Sequence, residues 1–192
     1  MPRETPAIID LEASGFGADS YPIEVGVALP DGTRFCSLIE PVPDWTHWDC
    51  QAQSIHQISR AELHHCGQSI FTVTRNLNQL LHGQTLYSDG WVVDKPWLTT
   101  LFYAARTPMT FFVSPLEMIL TDHQMRHWHA IKERVINELK LTRHRASNDA
   151  YIIQETYRRS VLAESAPLHP SDHLIRPAAR PAPLPHGVEP KL

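Results

Sequence analysis

The chain has 192 residues, 42% hydrophobic and 20% charged, with a formal net charge of -4 at pH 7. That length and apolar content fit one domain around one core, and the acidic balance excludes a protein that coats nucleic acid by charge alone, since such binding scales with the phosphates that Lys and Arg neutralise. The longest apolar runs, such as Ala7 to Ile9 and Phe111 to Val113, fall far short of the roughly 20 residues that span a bilayer.

Met1, Pro2, Arg3 and Glu4 lead into a strand without the apolar stretch of a secretory signal. Cys36, Cys50 and Cys66 form no CxxC pair. The expectation is a cytoplasmic protein with no membrane partner. In chain order, Ala7 to Leu11 (AIIDL) reads as a strand, and Ile23 to Leu29 and Thr33 to Ile39 read as a hairpin around Asp31-Gly32. From Pro41 to Gly67 the text is irregular, with Trp45, Trp48 and several histidines; SIHQISRAEL from Ser54 reads as a turn entering a short helix.

Val73, Leu77, Leu80 and Leu81 recur at helical spacing, with Phe71 just ahead of them, before Gly83 ends the run, and Thr85 to Tyr87 is a short strand. Trp97, Leu98, Leu101, Phe102 and Ala105 share a helical face, with Pro96 near the helix start. A strand from Thr110 to Val113 follows. Helical patterns resume from about Pro115, from Asp122 to Leu139, and after Ser147, read as an N-cap, where Ala150, Ile153, Tyr157 and Val161 step by three and four. Three strands followed by alternating helices and strands predict an α/β fold. Seven of the 16 prolines lie between Pro167 and Pro190, so residues 1–165 are expected to form the domain and residues 166–192 a disordered Pro-rich tail. Its PAPLP stretch has the composition of a polyproline II ligand, although a solvated tail is the simpler reading.

Three elements carry chemistry. Asp10-Leu11-Glu12 ends the first strand, where a period of two puts both carboxylates on one face, and Ala13-Ser14-Gly15 after it is small enough for close approach to a ligand. A solvated strand end is the plain alternative. In YSDGWVVDKPWL, either Asp89 or Asp94 can join the pair; a turn role for Asp89 and an N-cap role for Asp94 are the structural alternatives. His144 and Asp149, in RHRASNDAY, flank a helix entry that fixes both near one point, where Asp149 also suits the positive helix end.

In this order the motifs resemble the DEDDh exonucleases, the family of bacterial proofreading subunits and oligoribonucleases, over roughly Ile8 to Arg159. DLEASG is similar to the first exonuclease motif, SIHQIS to the IHGI-type turn, DKPWL to the second motif and HRASNDA to the third. The resemblance implies a ribonuclease-H-like fold, with a mixed five-stranded sheet flanked by helices. It implies Asp10, Glu12, Asp94 and Asp149 as ligands of two Mg²⁺ or Mn²⁺ ions and His144 as general base. The implied reaction is 3′-to-5′ removal of nucleoside 5′-monophosphates from single-stranded DNA or RNA. Gly90 and Val93 stand where the family has Asn and Phe, which keeps Asp89 in contention, and Ala13 and Ser14 replace two threonines.

The chemistry agrees: carboxylates are the hard ligands these ions take, and histidine, with an ordinary pKa of about 6.5, accepts a proton at neutral pH. Contacts to the terminal nucleotide are expected from Ala13, Ser14 and Gly15, and Trp91 is preferred as a stacking residue because Trp97 shares a face with Leu101. A homodimer is compatible with the sequence. The rivals are a non-catalytic nucleic-acid-binding or partner-recruiting module of the same fold and a ribonuclease-H-type endonuclease. Zinc at His47, Cys50, His64, His65 and Cys66 is disfavoured because their spacings fit no common site, and His123 with His127 reads as a solvated helix face.

Overall fold

The computed structural model describes residues 4–165; the stretch expected to be a disordered tail lies outside the described residues. Strands β1 (Ala7–Ala13), β2 (Pro22–Ala28) and β3 (Arg34–Leu38) form an antiparallel meander. On the other side of β1, β4 (Thr85–Ser88) and β5 (Phe112–Pro115) add in parallel, completing a five-stranded sheet of order β3-β2-β1-β4-β5. Parallel neighbours need crossovers. Helices α1 (Cys50–His56), α2 (Arg60–Cys66) and α3 (Ile70–Leu81) lie between β3 and β4, α4 (Trp91–Ala104) joins β4 to β5, and a 3₁₀ turn at Leu116–Ile119 leads to α5 (Asp122–Leu139) and α6 (Ala146–Ser165). This is the α/β architecture expected, with helices on both faces.

Alternate residues of β1 serve different cores. Ala7, Ile9, Leu11 and Ala13 join Val73, Leu77 and Leu81 of α3 and Leu98, Leu101 and Phe102 of α4. Ile8 joins Ala150, Ile153 and Tyr157 of α6. By the period of two, Asp10 and Glu12 share the face of Ile8 and point towards α6. The register is well determined: each fully buried Ile or Leu contributes about 1.5–3 kcal/mol, and a slip of one residue would exchange Ile9 and Leu11 for the two carboxylates. No helix among the described residues is long and apolar enough to cross a membrane.

The structure differs from the sequence reading at several boundaries. Ser54 to His56, read as a turn, is the last turn of α1, which the Asp49 carboxylate caps through the Gln51 amide. Helix α4 starts at Trp91, so Pro96 lies inside it. The Gly90 amide is held by Ser88 Oγ at 3.0 Å, and the missing proline N–H removes only one early-turn bond. Strand β5 begins at Phe112 because Thr110 is engaged by Asn78, whose Oδ1 accepts from the Thr110 amide at 2.9 Å. Helix α6 begins at Ala146, so Ser147 is not its N-cap. A tertiary partner takes that role: the Glu24 carboxylate, from β2, accepts from the Ala146 amide at 2.8 Å.

Candidate functional site

The centre forms where α6 meets the carboxyl end of β1. Gly26, paired with Asp10 across the sheet, permits the meeting, since a Cβ there would lie 2.1 Å from Ala146 C and Ser147 N. Glu24, paired with Glu12, anchors it: its fully buried carboxylate takes 3.1 and 2.7 Å bonds from Nε and Nη2 of Arg145 besides the Ala146 amide. With the helix start fixed in this way, ligand atoms of Glu12, His144 and Asp149 all lie within 4.8 Å of one another, a group that could hold a metal ion. Asp149 is buried; its Oδ2 accepts from the His144 amide at 3.0 Å and its Oδ1 from Arg143 Nε at 2.7 Å. His144 is exposed and has a left-handed backbone, φ 58°, which costs a non-glycine residue about 1 kcal/mol or more and tends to occur at functional sites.

Asp94 enters from α4. It is buried, accepts from Ser88 Oγ in a short hydrogen bond, and is also supported by the Leu11 amide. Asp89 sits at the rim in an ion pair with Lys132 of α5. Burial first, and then repulsion from Asp94, Asp149, Glu12 and Asp89, raises the Asp10 carboxyl well above the ordinary range. Glu12 is pushed up to about 8 by burial, then by Asp149, Glu24 and Asp94, against the pull of Arg143. Burial raises Asp94 to about 7 although the Ser88 hydrogen bond opposes it. Carboxyls that raise one another in this way hold negative charge short of cations. An oxygen-rich donor set of this kind suits hard divalent cations.

Beside Glu12 and His144 is a cavity of about 160 Å³, bordered by Ala13, Gly15, Phe16, Ala52, Ile55, His56 and Trp97. Phe16 is 71% exposed and its ring lies 6.1 Å from that of Trp97, within aromatic contact range. Gly15, at φ +152°, has no room for a side chain, because a Cβ would lie 2.7 Å from both Asp49 and His47. Ser14 is fully buried, its hydroxyl 3.1 Å from His47 Nδ1. Trp91 lies elsewhere, with its indole N–H donating to the Val113 carbonyl at 3.0 Å and its ring packed on the α3–α4 core. Trp97 rather than Trp91 therefore borders the cavity.

Sequence reasoning does not single out Glu24, Arg143, Lys132 or Phe16. A signal exists only for Glu24, a lone charge in the apolar run IEVGVAL. The cysteines are free and exposed.

The sheet order β3-β2-β1-β4-β5, with helices on both faces, defines a mixed α/β fold with an acidic centre at the end of its central strand. Solved structures of exonuclease I, including that of E. coli, share this fold. In its complex with a dA16 oligonucleotide the match has a TM-score of 0.59 at 13% identity, covering 82% of this chain and 42% of that one. In the zinc-bound complex with single-stranded DNA the TM-score is 0.60 at 14% identity, covering 79% and 39%. In a product-bound structure of exonuclease I it is 0.56 at 12%, covering 82% and 43%. This chain thus spans about two-fifths of the length of the chains it matches. No family model matches the sequence, and no curated protein matches it.

Proposed function

We propose that this chain is a divalent-metal-dependent exonuclease that hydrolyses phosphodiester bonds at the 3′ end of single-stranded DNA or RNA and releases nucleoside 5′-monophosphates. The observation that carries this reading is the grouping of Glu12, His144 and Asp149 within 4.8 Å of one another, with Asp10 and the buried Asp94 near enough for their charges to act on the same carboxyls. We place the whole activity within residues 1–165.

In this reading Asp10, Glu12, Asp94 and Asp149 hold two Mg²⁺ or Mn²⁺ ions, which would supply an acidified water and stabilisation of the leaving 3′ oxygen. His144, exposed to solvent beside Glu12, takes the proton of the attacking water. Ser88 and the Leu11 amide orient Asp94, and the His144 amide orients Asp149. Ala13 and Gly15 offer backbone at the cavity wall, while Phe16 and Trp97 offer ring faces for the terminal base. Asp89, already neutralised by Lys132, stays outside the ligand set.

The test is chemical. Purified protein with Mn²⁺ and an oligothymidylate should yield thymidine 5′-monophosphate, and EDTA should stop it. Products carrying a 3′ phosphate, or turnover unaffected by EDTA, would refute the reading.

A further inference from the structure

Arg143 is not required by the reaction just described, yet its guanidinium lies against the centre. Its Nε donates to Asp149 Oδ1 at 2.7 Å, and its charge also acts on Glu12. Its neighbour Arg145 makes an instructive contrast. Arg145 gives three hydrogen bonds to a fully buried carboxylate, as a structural ion pair would. Among the described residues, Arg143 engages only Nε, leaving both terminal nitrogens uncommitted, and its side chain is 33% exposed against 10% for Asp149. The acid is fixed and the base can swing.

We propose that Arg143 is a substrate-binding residue, parked on Asp149 at rest, that moves to the phosphate next to the scissile bond when Asp149 becomes a metal ligand. This rests on the nuclease reading of the site. Asp149 Oδ1 accepts from Arg143 and Oδ2 from the His144 amide, so a divalent ion on Oδ1 would stand within a few ångströms of the guanidinium, and like charges that close repel. Release of Oδ1 frees a planar donor fork one residue from the proposed base, and such a fork binds two phosphate oxygens at once. Repulsion by a cation on Oδ1 would drive the guanidinium off Asp149 and towards the phosphate, so Arg143 links the two binding events. It competes with the cation, then assists the anion.

The consequence is a pair of opposite effects from one substitution. In Arg143→Gln, Mn²⁺ titrated calorimetrically into the nucleotide-free full chain should bind about three- to tenfold more tightly, the scale of one partly exposed charged hydrogen bond. The same variant should bind a fluorescent oligothymidylate about fivefold or more weakly in Ca²⁺, with the slope of log K against log salt shallower by about 0.7, one phosphate contact on a single strand. Unchanged or weaker Mn²⁺ binding would overturn the proposal, showing that Arg143 merely steadies Asp149. Unchanged oligonucleotide affinity and salt slope would overturn it from the other side. Arg143→Lys separates charge from fork: it should keep the salt slope while losing affinity. If the unsubstituted chain bound Mn²⁺ and cut oligonucleotides while Arg143→Gln behaved identically, only this proposal would fall. If the unsubstituted chain bound no Mn²⁺, the nuclease reading would fall with it.

Discussion

The raised carboxyls make the metal-free protein sensitive to pH in a direction opposite to that of a salt-bridged acid. Glu12 rises from 4.5 to about 8, so between those values the folded chain holds a proton that the unfolded chain has lost. Stability then falls as pH rises through that window. At about 1.4 kcal/mol per pH unit the ceiling is roughly 5 kcal/mol. Glu12 is only partly buried, and solvent screening reduces the effect to about 2 kcal/mol, or about 4–8 °C in melting temperature for a domain of this size. His56 acts in the opposite sense: burial lowers its pKa from 6.5, so its contribution is lost as pH falls. The difference between Glu12→Gln and the parent isolates the carboxyl from this background. In thermal melts with EDTA, the variant should match the parent near pH 4.5 and exceed it increasingly up to pH 8. Millimolar Mn²⁺ should then stabilise the parent at pH 8 far more than the variant. A variant no more stable than the parent at pH 8, or a difference that does not change with pH, would refute the reasoning.

Asp94→Asn should abolish turnover at saturating Mg²⁺, whereas Asp89→Asn should retain most of it, because Asp94 is buried in the centre and Asp89 is spent on Lys132; rates for the two variants check this. His144→Ala should lose about 10²-fold in rate while Mn²⁺ still binds by calorimetry, since its proposed task is proton transfer; loss of metal affinity would make it a ligand. Phe16→Ala should weaken oligonucleotide binding by about 1–3 kcal/mol, the worth of one stacked base, with no change in Mn²⁺ affinity.

The frame and the acidic motif are legible in the sequence because they obey local periods. Ile9 and Leu11 alternate with Asp10 and Glu12, and that alternation alone places the two carboxylates on one face of the strand. Helix α5 has apolar spacing and a capping box at Thr121 and Gln124, so its bounds follow from the residues themselves. Helix α1 is illegible: it buries only Ala52 and His56, and its cap is a loop aspartate. The start of α6 is misleading because Ser147 is a good local cap, while the cap actually used, Glu24, lies 122 residues away in the chain. The cavity escapes the sequence for a related reason. Trp97 shares a face with Leu101 yet also borders the cavity, and Phe16 borders it just after Gly15, whose φ is +152°. Arg143 and Asp149 are only six residues apart, but their place in the field of Glu12, from a strand distant in the chain, leaves no periodic trace.

Polarity of cutting tests the central claim most directly. One single-stranded oligomer, labelled at its 5′ end in one sample and at its 3′ end in another, is incubated with the protein and Mn²⁺ or Mg²⁺. The account predicts a descending ladder from the 5′-labelled strand and immediate release of a labelled mononucleotide from the 3′-labelled one. Internal cuts, a ladder of the opposite polarity, or intact strands with either metal would contradict it.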